Sequence, residues 1–251
     1  MKPESYPDDP AILNMAIMHS KAQIFYQRVL LLELNYHVFE RNYQVLKKVL
    51  VKAQSPDAFY ELWVMGKEKE LNFVMSEIIR LFHNFVASAI TYVDHTRAVM
   101  RDWYENTDFL KEYQSEIDRR FVNNTITMFI EDLRNFTLHY QLPLTTAQVM
   151  FETEPETGKD KTVQTFLLEK SDLLRWKKWS DKGKPFLNQS EEQINLLNLI
   201  DSYYSEVNSF FIWIMDHLEE LHAEDIKWLN EMNAKLRKAL ELLRNRPVFE
   251  E

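Results

Sequence analysis

One stretch of this 251-residue chain, Met128 to His139, closes on Arg134-Asn135-x-x-x-His139. The planar fork of an arginine can hold a phosphate through two bonds, and a histidine can move a proton near neutral pH. Those two side chains are the minimum equipment for cleaving RNA without a metal. On a helix Asn135 and His139 share a face, and Arg134 sits about 100° around from Asn135, so the three occupy one sector of roughly 140°. An Arg-x(4–6)-His spacing alone arises about once by chance in a chain of this composition, so the Asn directly after the Arg carries the specificity. The same residues also admit a structural reading. Arg134 would then pair with Glu131 or Asp132, and His139 would end a helix, where a cation meets the negative end of the dipole.

Two further clusters bear on this motif. His83, Asn84, Asp94, His95 and Arg97 lie on the preceding helical run. They are candidates for a ring of support around the motif, for example Asp94 holding Arg134, and equally for ordinary hydrogen bonding between helices. Arg175, Lys177 and Lys178, interleaved with Trp176 and with Trp179, Lys182 and Lys184 beyond, form the most basic and aromatic segment. Such a segment can grip an RNA backbone and stack a base. The commoner arrangement docks the tryptophans in the core and leaves the lysines in water.

Other chemistries lack their residues. There are no cysteines, no His-Glu-x-x-His and no paired Glu-x-x-His, so neither a metal centre nor any cofactor is expected. Three scattered glycines cannot build a phosphate-cradling loop, and no Gly-x-Ser-x-Gly elbow is present. A net charge of -9 argues against a protein that coats nucleic acid non-specifically, while leaving room for a small basic cleft. The N-terminus is polar and acidic, unlike a signal peptide, and no run of about 18 apolar residues suggests a membrane span. A cytoplasmic location is expected.

The elements that must position these residues are helices. Only 3 Gly and 8 Pro interrupt the chain, and such scarcity of breakers predicts long helices and an all-α fold. The apolar spacing predicts an N-terminal helix over 11–53, as one helix or two nearly collinear ones. A short helix is expected from Asp57 to Gly66, and a long one from Lys67 to about Asn106. The motif helix should run from Phe109 to about Gln141, stopped by Pro143. Over about 145–168 two short β-prone runs flank the turn-rich stretch 154–160, which predicts an inserted β-hairpin. Ser171-Asp172 is expected to cap a short helix closed by Gly183 and Pro185. Ser190-Glu191-Glu192-Gln193 reads as the cap of a last helical region over 191–245, with an amphipathic end suited to a partner. No linker divides the chain, so one domain over 1–251 is expected.

On the residues Arg134, Asn135 and His139, and on their place in a long helix before a proline, the chain resembles the HEPN superfamily. That family is marked by Arg-x(4–6)-His with a polar residue after the Arg. The resemblance covers about 67–142 together with 191–245. It implies an antiparallel helical bundle and a homodimer in which two motifs form one cleft. It also implies a metal-independent endoribonuclease leaving 2′,3′-cyclic phosphate and 5′-OH ends. In that chemistry His139 acts as general acid and base, Arg134 stabilises charge on the phosphoryl oxygens, and Asn135 orients His139 or binds phosphate. Family members are often toxins or antiviral defence effectors with a cognate antitoxin or operon partner. Some have lost catalysis and serve as nucleotide-binding or interaction modules, which is the alternative reading of this chain.

Overall fold

The computed structural model describes residues 2–143, 145–153 and 160–245. The expected all-α class holds, with about 75% of the chain helical and one small three-stranded sheet. By its contacts the single domain expected over 1–251 is built of two compact units. One comprises the chain up to Leu34 and from Ile212 onward, and the other runs from Asn35 to Phe211. Helices α2 (Lys21–Ala53) and α8 (Leu196–Leu221) each contribute to both.

In the first unit, α1 (Pro10–Met18) packs against α9 (Ala223–Arg244). Its core joins Leu13, Ile17 and Ala22 to Leu229, Met232 and Ala239. Asp9 caps α1 by accepting from the amides of Ala11 and Ile12. Of the two alternatives expected over 11–53, one helix or two, the chain forms two, because Ser20 caps a fresh start. Its hydroxyl accepts from the Gln23 amide at 3.0 Å and donates to the Ile17 carbonyl. The last helical region divides likewise at His222, whose ring stacks on Phe25 at 3.8 Å.

In the second unit, α2 is sandwiched between two other long helices by rings. Tyr36 stacks on Phe211, and Tyr43 stacks on Tyr204, each at 3.8 Å. As numbers rise along α2 they fall along α8, so this pair is antiparallel. The same holds between α2 and α3 (Glu68–Trp103), where Tyr36 meets Tyr92 and Tyr43 meets Phe85. The hydroxyls are used as well. Tyr43 donates to Asp201, and Lys47 bonds both of them at 2.9 Å. Burial pushes the Tyr36 and Tyr43 phenols up, so both stay protonated.

No membrane-length apolar segment was expected, yet by length and composition α3 contains one long and apolar enough to cross a membrane. Its apolar side chains Ile78, Leu81, Phe82, Phe85, Val86 and Ala89 are buried in protein. Asn106, at φ 62°, ends the turn after α3 in the left-handed region that Asn tolerates.

The motif helix is shorter than expected. α4 (Asp108–Ile117) is capped by Thr107 and leads into a π-turn over Asp118–Val122. A new helix, α5 (Thr125–His139), begins at Asn124, whose side chain accepts from the Ile126 amide. The junction is held by Glu116, which accepts from Arg119 and Arg120, while Arg120 reaches Ser209 of α8 at 2.7 Å. Hydrogen bonds from the two guanidinium groups hold the Glu116 carboxyl down at about 2, against an ordinary 4.5. Because the folded-state value is depressed, its stabilisation is complete above about pH 4.5 and is lost as pH falls towards 2. Thermal unfolding followed from pH 5 to pH 2 should therefore show a steeper loss in the wild type than in Glu116→Gln. Parallel curves would rule this link out.

The hairpin forms where expected. β1 (Thr145–Thr153) pairs antiparallel with β2 (Asp160–Glu169), Thr145 opposite Leu168. A third strand, β3 (Gln193–Asn195), adds to β2 where a helix start was predicted, so Ser190 to Gln193 do not cap the final helix. Asn195 does so, accepting from the Asn198 amide. The short helix expected after Ser171 is one turn, α6 (Lys170–Leu173). Pro185 opens α7 (Lys184–Gln189) instead of closing its predecessor. Residues 154–159 of the expected turn lie outside the described residues.

Candidate functional site

All three motif residues lie in the last turns of α5. The core face of that helix carries Phe129, Ile130, Leu133 and Phe136, each fully buried. Arg134 and Asn135 are half-buried beside this face, and His139 is exposed as the final helical residue. Among the described residues the Arg134 guanidinium, the Asn135 amide and the His139 ring make no hydrogen bond or ion pair. The pairing of Arg134 with Glu131 or Asp132 required by the structural reading does not form. Asp132 is buried and serves the loop beyond α6, accepting from the Ser180 amide at 2.9 Å and the Ser180 hydroxyl at 2.7 Å.

Residues 172–183 run along α5 in the opposite direction, and this strap positions the motif. Next to Asp132 lies Ser180; next to Phe136 lie Trp176, edge-on at 5.8 Å, and Trp179, stacked at 5.8 Å. Just past His139, the Gln141 side chain donates to both carboxylate oxygens of the buried Asp172, at 2.9 and 2.8 Å. Arg175 approaches the same carboxylate at 3.6 Å. Gly183 sits so close to α5 that a Cβ there would meet Asp132 Oδ2 at 2.2 Å and the Met128 carbonyl at 3.0 Å.

The strap brings the second basic cluster to the end of the motif helix. Asp172 bonds Gln141, two residues after His139, and faces Arg175, three residues further along the strap. Arg175, Lys177 and Lys178 are exposed, as are Lys182 and Lys184, while Trp176 and Trp179 are buried. The tryptophans therefore belong to the core and cannot stack a base. The Trp179 indole donates to the Leu173 carbonyl at 2.8 Å. What remains for a ligand is a set of exposed cations along the strap, of which Arg175 lies nearest the carboxyl end of α5.

The α3 cluster is not gathered on the motif, although α3 packs against α5. Asp94 is exposed and faces Arg97 on its own helix at 3.8 Å, so it does not hold Arg134. His95 is bonded to Asn35 at 2.9 Å. His83 and Asn84 are half-buried, and His83 Nδ1 is buried without a partner. None of the five bonds to Arg134, Asn135 or His139.

Asp132 and Asp172, the two carboxylates that fix the site, were missed as site residues by spacing alone. Asp132 had a signal: it falls in the apolar stripe Phe129-Leu133-Phe136, where a carboxylate must find buried donors. Asp172 was read as a cap. Among the described residues no group of three His, Asp or Glu side chains is placed to hold a metal ion.

No family model, curated protein or solved structure matches this chain.

Proposed function

We propose that the chain is a metal-independent endoribonuclease of HEPN type, acting as a cytoplasmic homodimer with Arg134, Asn135 and His139 at its centre. The observation that carries this reading is Arg134, unpaired among the described residues. An arginine with no carboxylate partner among the described residues, five residues before an exposed histidine on the same helix, has donors to offer a phosphate. The strap cations Arg175, Lys177 and Lys178 lie towards the same helix end and supply the field that draws a polyanion to an acidic protein.

In the reaction, the ribose 2′-oxygen attacks the adjacent phosphorus and the 5′-oxygen departs. His139 of one protomer takes the 2′-proton, and His139 of the other returns a proton to the leaving oxygen. Arg134 bonds the phosphoryl oxygens as their charge grows. The products are a 2′,3′-cyclic phosphate and a 5′-hydroxyl. A toxin or defence role, with a cognate antitoxin or operon partner, suits such an activity.

The test is end-mapping of a short synthetic RNA incubated with purified protein in the presence of a metal chelator. Cyclic phosphate ends are expected. Intact RNA, or cleavage abolished by the chelator, rejects the reading. A catalytically silent interaction module is the second reading, favoured by exposed Leu240, Leu242 and Leu243 at the end of α9. It gains if the RNA stays intact.

A further inference from the structure

A cleft lies between α3 and α4. A cavity of about 450 Å³ is lined by Arg97 and Arg101 from α3 and by Leu110, Lys111, Tyr113 and Gln114 from α4. Three of its six lining residues are cations and none is acidic, in a chain of net charge -9. The volume is that of a small-molecule site.

The cations are weakly committed elsewhere. Arg97 stands 3.8 Å from Asp94 and Arg101 3.9 Å from Asp102, both beyond hydrogen-bonding distance. Lys111 bonds Asp108 at 2.7 Å, but that pair is almost fully exposed. Exposed pairs of this kind are worth little and yield readily to a better anion.

Tyr113 supplies an independent sign. It is 2% exposed, and its hydroxyl is buried with no hydrogen-bond partner among the described residues. Such an orphaned donor is unfavourable in a finished core. Burial pushes the phenol up, so it keeps its proton to donate, and nearby Arg97 opposes that shift. The same side chain lines the basic cavity, and its ring packs on Phe210 at 5.6 Å, which fixes its position.

We infer that this cavity binds the phosphate group of a small phosphate or phosphomonoester, through the Arg97, Arg101 and Lys111 cations and the Tyr113 hydroxyl. Leu110 and the aliphatic stem of Lys111 offer an apolar wall to the remainder of an ester. The cavity is lined by neither Arg134 nor His139, and it requires nothing of the ribonuclease reading.

Titration calorimetry of the full chain with inorganic phosphate and with adenosine 5′-monophosphate, at ionic strength matched with sodium chloride, tests the assignment. Saturable binding is expected. Tighter binding of the nucleotide identifies an organic ester as ligand, and equal binding identifies the bare ion. Tyr113→Phe should weaken binding roughly tenfold, the loss of one bond to a charged group. It should leave the ligand-free melting temperature unchanged or raised, because an unpaired buried hydroxyl is gone. The double variant Arg97→Ala, Arg101→Ala should weaken binding by at least that factor. No saturable binding by the wild type, or an affinity within about twofold of wild type in either variant, overturns the assignment.

Discussion

His139→Ala is expected to lower the rate of RNA cleavage by roughly 10²–10⁴-fold, the usual contribution of a positioned general acid or base. Arg134→Ala should cost about 10²–10³-fold, as removal of one preorganised donor to a developing oxyanion does. Neither should disturb the fold. His139 is exposed and Arg134 is unpaired among the described residues, so each change falls in the class of surface substitutions worth within about 0.5 kcal/mol. The separation of rate from stability is the point of the measurement. Single-turnover cleavage and urea unfolding should be recorded on the same preparations. A variant that cleaves at the wild-type rate would falsify the catalytic assignment of its residue. A variant that loses activity and stability together would place that residue in the scaffold.

The largest effect on stability is expected from the smallest change, Gly183→Ala. The added methyl would lie 2.2 Å from Asp132 Oδ2 and 3.0 Å from the Met128 carbonyl. Neither neighbour can yield cheaply. Asp132 is buried and held by two bonds from Ser180, and the Met128 carbonyl is helix backbone. Overpacking costs about 1–3 kcal/mol, and weakening bonds to a buried charge adds about 1.5–3 kcal/mol. A loss of about 3 kcal/mol in urea unfolding is therefore expected. In an Asp132→Ala background the same substitution should cost much less, because the carboxylate it strikes is gone. Equal costs in both backgrounds would show that the strap does not press on α5 at this point.

Helix content was legible because so few glycines and prolines interrupt the apolar repeats, and the hairpin was legible because its composition departs from theirs. Helix ends were less so. Gly, Pro and the polar caps at Asp57, Ser171-Asp172 and Ser190 marked the expected ends, whereas further breaks fall at Ser20, Asn124, Asn195 and His222. Ser20 and Gln23 have the Ser-x-x-Gln spacing of a capping box inside an apparently continuous run, a signal strong enough to have been used. Asn124 follows another asparagine in a stretch whose apolar period is not interrupted, so only its capping bond reveals the break. The strand Gln193–Asn195 is three residues long and owes its existence to β2, a partner about 25 positions earlier that no local pattern announces. For the site, residue types and spacing located the motif, but that Arg134 has no partner among the described residues required knowing that Asp132 turns to Ser180. The place of Arg175 near the motif depends on Asp172, which spacing could present only as a cap.

The clasp between Gln141 and Asp172 has a topological corollary. The chain leaves the end of α5, makes the hairpin and returns to the same helix 31 positions later. A cut anywhere between those two residues would sever the backbone without separating the parts, since Ser180, Trp176 and Trp179 would still grip Asp132 and Phe136. The protein is thus organised as two complementary parts that meet along α5, between α2 and α8, and between α1 and α9. Expressed as separate fragments divided in this interval, those parts should reassemble with the motif intact.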